Sequence, residues 1–444
     1  RLTDVTGVQT CALPIYARWV IPVEPDTVVL EHHSVAIRDG RILAVLPTDE
    51  ARQRFSPDAE QNLADHALIP GLVNLHTHAA MTLMRGMADD LPLMQWLEQA
   101  IWPTEARHAS AAFVRDGTLL AAAEMLRGGI TTCNDMYFYP DAAASAFDML
   151  GMRCVIGITA IDFPTPYASS ADEYLKKGLA TRDAWRQHPL TRFALAPHAP
   201  YTVGDETFGR IVDLANELDL PIHIHIHETA QEIHDSLKQH GQRPLARLDK
   251  LGVVGSNLIG VHAVHLTDSE IDLLARHGAS VAHCPSSNMK LASGIAPIHQ
   301  LIEHTIPVGL GTDGAASNNR LDLFQEMRQA ALLAKVHSGD ARAIPASRAL
   351  RMATLDGAHA LGMGADIGSI AAGKQADLCA VDFSGVDTQP CFNPLSHLVY
   401  CAGRENVTHV WIAGQARVTD KTLLQKSNSE LLAIARVWQN KLGN

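Results

Sequence analysis

The stretch Pro70 to His78, PGLVNLHTH, decides how this chain is read. Leu72, Val73 and Leu75 make a short apolar run that stops at His76 and His78. Side chains alternate faces along a strand, so the two imidazoles share one face while Thr77 takes the other. Two imidazoles side by side at a strand end can chelate one metal ion. With 23 histidines in 444 residues an H-x-H pair is also expected by chance, so the pair gains meaning only from its surroundings.

Composition narrows those surroundings. A chain of 444 residues, 47% apolar and 19% charged, is globular and long enough for one large domain plus a smaller one. The formal charge of -12, with no clustered run of Lys or Arg, argues against a nucleic-acid partner. No segment approaches the run of apolar residues needed to span a bilayer, which argues against a membrane role. Seven scattered cysteines without a C-x-x-C pair fit free thiols in a reducing cytoplasm. Residues 1–15 (RLTDVTGVQTCALPI) resemble translated adaptor sequence and are read as a leader foreign to the fold.

The two ends of the chain are β-rich. Asp39-Gly40 between SVAIR and RILAVLP signals a hairpin. Ala413-Gly414 marks a second tight turn near the C-terminus, and QADLCAVDF (375–383) supplies another extended run. Residues 16–69 and 366–444 are therefore expected to build one small β-sandwich-like domain, ending in a helix over 429–442.

Residues 70–365 alternate. Strand-like runs at 70–78, 129–136, 153–161, 192–200, 221–229, 258–266, 280–288 and 307–317 are separated by helical segments. That pattern predicts a parallel α/β barrel. A doubly wound open sheet would place a G-x-G-x-x-G turn after an early strand, and none is present. Catalytic groups of such barrels sit at the C-terminal strand ends. Those ends carry His76 and His78, His198, His225 with Glu228, His262, and Asp313. Nitrogen and oxygen donors with a spare acid suit a catalytic divalent ion with an open position.

With these motifs in hand, the chain resembles the amidohydrolase superfamily, and within it the deaminases of 5'-methylthioadenosine and S-adenosylhomocysteine. The resemblance rests on PGLVNLHTH, MTLMRGMADDLPLMQWL followed by WPTE, APHAPYT, HIHIHET, HAVHL and GTDGAASNN. It implies a distorted (β/α)8 TIM barrel and hydrolytic deamination of the adenine ring of a small-molecule nucleoside. It further implies His76, His78, His225 and Asp313 as metal ligands, and Glu228 and His262 as the proton-handling pair, with Asp313 sharing in catalysis. Glu105, in WPTE, matches the family position that contacts ribose hydroxyls, and His198 and Ser317 match positions that contact the nucleoside. His223 is read as a deeper barrel-interior residue, His227 as a rim residue and His265 as structural.

Family members with two metals bridge them through a Lys at the fourth strand end. RFALAPHAP has none, so one divalent ion is expected, zinc in the first place, with iron(II) or manganese(II) allowed by the same donors. Relatives of this kind are commonly dimers or larger, so a homo-oligomer (dimer or tetramer) is implied. One departure concerns the substrate. Relatives that accept S-adenosylhomocysteine well carry an Arg in the loop after the third strand, and DFPTPYASSADEYLKKG has none before Arg182. Rival expectations are a guanine deaminase or s-triazine hydrolase built on the same site, and a non-catalytic barrel used for assembly.

Overall fold

The computed structural model describes residues 9–10, 13–56 and 60–443. Eight strands, Leu72–Thr77, Ile130–Asp135, Arg153–Ala160, Thr191–Pro197, Ile222–Ile226, Leu258–His262, Ser280–His283 and Val308–Leu310, each pair with the next in chain order. Every pairing is parallel. Helices such as Ala111–Arg127 and Asp205–Leu218 connect them, and the first is capped by the Ser110 hydroxyl. The expected α/β barrel is the observed one.

The last strand returns to the first through side chains as well as backbone. Asn74 accepts the Thr312 N–H at 2.9 Å and donates to the Thr312 hydroxyl at 2.8 Å, while the Asp313 N–H donates to the His76 carbonyl at 3.0 Å. Gly309 makes the seam close, because a Cβ there would lie 2.7 Å from Leu75 and 2.9 Å from Gly357.

The second unit is one continuous eight-stranded mixed sheet. Leu378–Asp382 lies antiparallel beside Gln61–Pro70, joining the strands of the N-terminal segment to Val407–Ile412, Gln415–Thr419 and Thr422–Leu423. Asp39 and Gly40 turn one hairpin with positive φ, as do Ala413 and Gly414 in the other. Ile15, Val35, Leu63, Leu68, Leu378 and Trp411 pack on one face of this sheet. The terminal helix spans Asn428–Leu442.

The expected leader boundary at residue 15 needs correction. Leu13, Pro14 and Ile15 pair with Ile37, Ala36 and Val35, and Ile15 is fully buried because its side chain enters the apolar face. Gln9–Thr10 also bridges to Phe55–Ser56. The remainder of that segment, residues 1–8 and 11–12, lies outside the described residues. Among the described residues no helix is long and apolar enough to cross a membrane.

Two of the contacts that join sheet and barrel lie close to the first and third barrel strands. Only Gly71 separates Gln61–Pro70 from the first barrel strand, and a Cβ there would fall 2.1 Å from the Thr131 hydroxyl. Arg153, on the third strand, donates to both oxygens of Asp377 at 2.8 and 3.0 Å, and both side chains are buried. Arg153→Met leaves the Asp377 charge enclosed without its counter-ion and is expected to cost about 3–5 kcal/mol. Urea unfolding monitored by fluorescence measures that loss.

Candidate metal-dependent active site

Four of the expected ligands converge at the barrel mouth. His76 Nε2 lies 3.2 Å from His225 Nε2 and 3.2 Å from Asp313 Oδ1, and His78 Nε2 lies 3.3 Å from the same oxygen. The His78 Nδ1–H donates to the Met136 carbonyl at 2.6 Å, and the His225 Nδ1–H to the His198 carbonyl at 2.7 Å. A carbonyl only accepts, so both rings are fixed with their protons on Nδ1 and bare lone pairs on Nε2. Burial drives His225 well below its ordinary pKa and His76 down to about 4, which keeps these rings neutral.

Lone pairs and a carboxylate aimed at one another repel unless a cation lies among them. Zinc–nitrogen bonds of about 2.0–2.1 Å in a tetrahedral site place ligand atoms about 3.3–3.4 Å apart, close to the spacings observed. His76, His78 and His225 form one such donor group, and His76, His262 and Asp313 an overlapping one. The donor set therefore fits one divalent ion.

The strand ends that carry these groups are bent. His262 has φ 71° and Asp313 φ 59°, a left-handed backbone uncommon for residues with a side chain. The Thr77 hydroxyl donates to the Asp313 carbonyl at 3.1 Å and holds the second of these bends. Ser287 and Ser317 donate to Asp313 Oδ2 at 2.6 and 2.7 Å, leaving Oδ1 for the imidazole side. The Asn288 amide oxygen accepts the His262 Nδ1–H at 2.8 Å, so His262 turns Nε2 toward Glu228 Oε2, 3.7 Å away. Burial raises the Glu228 carboxyl above its ordinary value. Burial also acts to raise Asp313, but the His76 hydrogen bond and nearby imidazoles outweigh it and hold that carboxyl well below the usual range. Two carboxyls with opposite shifts are the arrangement that separates acid from base.

A cavity of about 420 Å³ opens onto this cluster. His78, His225, His262, Asp313 and Glu228 line one end, and Glu105 and His198 line it as well. Glu105 comes from the helix Trp102–His108, which follows a π-helical turn over Leu97–Ile101. Its carboxyl accepts the Tyr137 hydroxyl at 2.7 Å, and enclosure raises it to about 7 against the opposing pull of that hydrogen bond. His198 Nδ1 pairs with the Thr202 hydroxyl at 3.0 Å.

Two expectations change. Ser317 is buried and absent from the cavity lining, and its hydroxyl is committed to Asp313 rather than to a ligand. His227 is not a rim residue: the fifth strand ends at Ile226, and the positive φ of His227 breaks the alternation. Its buried ring turns toward the next connection, where Nε2 accepts the Leu245 N–H at 3.0 Å. His223 is buried with Nε2 2.9 Å from His76 Nδ1, and His265 Nε2 donates to the Ser293 carbonyl at 2.7 Å. Sequence reasoning missed Ser287, Asn288 and Tyr137. Ser287 and Asn288 stand at the end of the run 280–288 (SVAHCPSSN), two polar residues shortly past a strand that ends at His283, which is the signal that was there to read.

A barrel with one histidine- and aspartate-lined divalent site at its mouth and a small sheet from both chain ends defines a class of metal-dependent hydrolases. Residues 67–417 match the family model described as the amidohydrolase family, and the chain belongs to that family. It is similar to a 5-methylthioadenosine/S-adenosylhomocysteine deaminase of Teredinibacter turnerae, 46% identical over 439 residues, 99% of each chain. A crystal structure of an adenosine deaminase from Xanthomonas campestris with bound zinc superposes with TM-score 0.97 at 53% identity, over 98% of this chain and 99% of that one. An atrazine chlorohydrolase from Arthrobacter aurescens shares the fold at TM-score 0.89 and 24% identity, over 96% and 99%.

Outer partners of metal ligands typically tune affinity about 10–100-fold. Ser317→Ala is therefore expected to weaken metal binding by at least tenfold in chelator competition, while KM of the metal-saturated enzyme stays unchanged.

Proposed function

We propose that this chain hydrolyses the 6-amino group of the adenine ring of 5'-methylthioadenosine and adenosine, releasing ammonia and the inosine derivative. The observation that carries the reading is a single chamber lined by three of the four donors (His78, His225 and Asp313), the Glu228–His262 pair and Glu105, with His76 buried directly behind them. His76, His78, His225 and Asp313 would hold the ion, with zinc favoured by the donor types and by the zinc bound in the Xanthomonas campestris protein. A divalent ion held there supplies Lewis-acid activation of water, lowering its pKa from 15.7 to roughly 7.

The protein's own groups do the rest. Asp313 and His262 take the proton of the attacking water. Glu228, whose carboxyl burial raises above its ordinary value, gives its proton to ring nitrogen N1 as C6 becomes tetrahedral. The proton taken from the water then passes to the amino nitrogen, the C6–N6 bond breaks and ammonia leaves, while the C6 hydroxyl returns a proton to Glu228 as the carbonyl forms. Glu105 accepts hydrogen bonds from the vicinal ribose hydroxyls, and neither guanine nor a triazine offers such a diol.

The 5' end of the nucleoside would face Trp102, Phe138, Ile161 and Phe163, an apolar wall. No Lys or Arg is among the described residues lining the cavity, so a homocysteine carboxylate lacks a cationic partner there. 5'-Methylthioadenosine and adenosine therefore rank above S-adenosylhomocysteine. We also read the enzyme as cytoplasmic, in keeping with six described cysteines that stand as free thiols.

Ammonia release from a panel of adenosine derivatives, with metal content measured on the same sample, is expected to show this order in kcat/KM. A value for S-adenosylhomocysteine equal to or above that for methylthioadenosine overturns the ranking, and activity confined to guanine or triazines overturns the nucleoside reading. Glu228→Gln is expected to keep its metal and lose about 10²–10⁴ in kcat. Near-normal turnover in that metal-replete variant would remove Glu228 from the acid role.

A further inference from the structure

Glu105 does not belong to the strand framework that fixes the metal end of the chamber. It rides on the helical segment Leu93–His108, whose residues reach the cavity from outside the barrel. A carboxylate at the end of a Glu side chain turns easily, since its terminal torsion is broad and roughly two-fold. A reader of two adjacent hydroxyls needs a fixed plane.

Tyr137 is where that plane is set. It stands two residues past the second strand, buried, with its ring against Phe138 at 5.1 Å. Its backbone is tied on both sides: the Met136 N–H donates to the Thr77 carbonyl at 3.0 Å, and the Thr159 hydroxyl donates to the Tyr137 carbonyl at 3.0 Å. The preceding carbonyl, that of Met136, accepts the Nδ1–H of His78 at 2.6 Å. One dipeptide thus holds a metal-cluster imidazole through its backbone and the Glu105 carboxylate through the Tyr137 hydroxyl, 2.7 Å from Oε1. With that oxygen engaged, Oε2 and the remaining lone pair of Oε1 are left to accept from a ligand.

We propose that Tyr137 is a positioning residue for ribose recognition, orienting the Glu105 carboxylate toward the two vicinal hydroxyls from the same backbone that orients His78. The inference rests on the nucleoside reading above and adds to it the source of its sugar specificity. Tyr137 acts through Glu105 and takes no part in the bond-breaking steps.

The test compares adenosine with 2',3'-dideoxyadenosine on enzyme of measured metal content. In Tyr137→Phe the ratio of kcat/KM for adenosine to that for the dideoxy analogue is expected to fall about tenfold, the loss lying in KM, as for one hydrogen bond to a charged group. Glu105→Gln is expected to lower the same ratio at least as far. The double variant is expected to fall no further than Glu105→Gln alone, because a residue acting only through Glu105 has nothing left to orient. An unchanged ratio in Tyr137→Phe beside a lowered one in Glu105→Gln overturns the positioning role alone. Additive losses in the double variant also overturn it, and mark Tyr137 as a direct sugar contact. An unchanged ratio in Glu105→Gln overturns the diol reading, and this inference with it.

Discussion

Three imidazole lone pairs and one carboxylate oxygen pressed within 3.2–3.3 Å of their neighbours are the constraint on which this structure turns. Such an arrangement is unfavourable by itself, and the protein holds it by spending hydrogen bonds elsewhere. Carbonyls of Met136 and His198 fix two rings, His223 meets a third, and two serines hold the far oxygen of Asp313. The barrel brings these partners together from strands far apart in the chain. Its seam at Asn74 and Thr312 lies directly beneath His76 and Asp313, so closing the sheet and assembling the cluster are one event.

Against that cluster the chain sets a second, differently tuned pair. Glu228 and His262 share the chamber but take their orientation from other groups: Asn288 grips His262, while the Glu232 carboxylate accepts the backbone N–H of Glu228 at 2.9 Å. Burial favours the protonated acid at Glu228, and the imidazoles favour the anion at Asp313. In the proposed reaction, water activation and proton donation fall to these two separate carboxyls.

Much of the fold was legible in the sequence because barrel strands read as apolar runs ending in polar residues, and all eight runs became strands. The turns at Asp39-Gly40 and Ala413-Gly414 were legible because each carries a glycine, the residue that takes positive φ at no steric cost, between two β-rich runs. The side chains that meet at the barrel mouth were legible as a group because they stand at or just past strand ends, whereas the role expected of each came only from the family resemblance. What failed did so where the chain leaves regular geometry. His227 was misplaced because one left-handed residue turns its ring away, which alternation has no means to anticipate. Ser317 was given a ligand to bind because motif position says nothing about which of two neighbours a hydroxyl will choose. Leu13 to Ile15 were set aside because residues 1–15 resemble translated adaptor sequence, yet pairing and burial make them part of the sheet.

The pairing of Leu378–Asp382 with Gln61–Pro70 carries a consequence for biogenesis. During translation the earlier strand leaves the ribosome long before its neighbour exists, by about 15–60 s at 5–20 residues per second. Throughout that delay one edge stays open, next to an apolar face. Nascent chains in this state are natural clients for chaperones, and the small sheet, though first to be synthesised, is last to be completed.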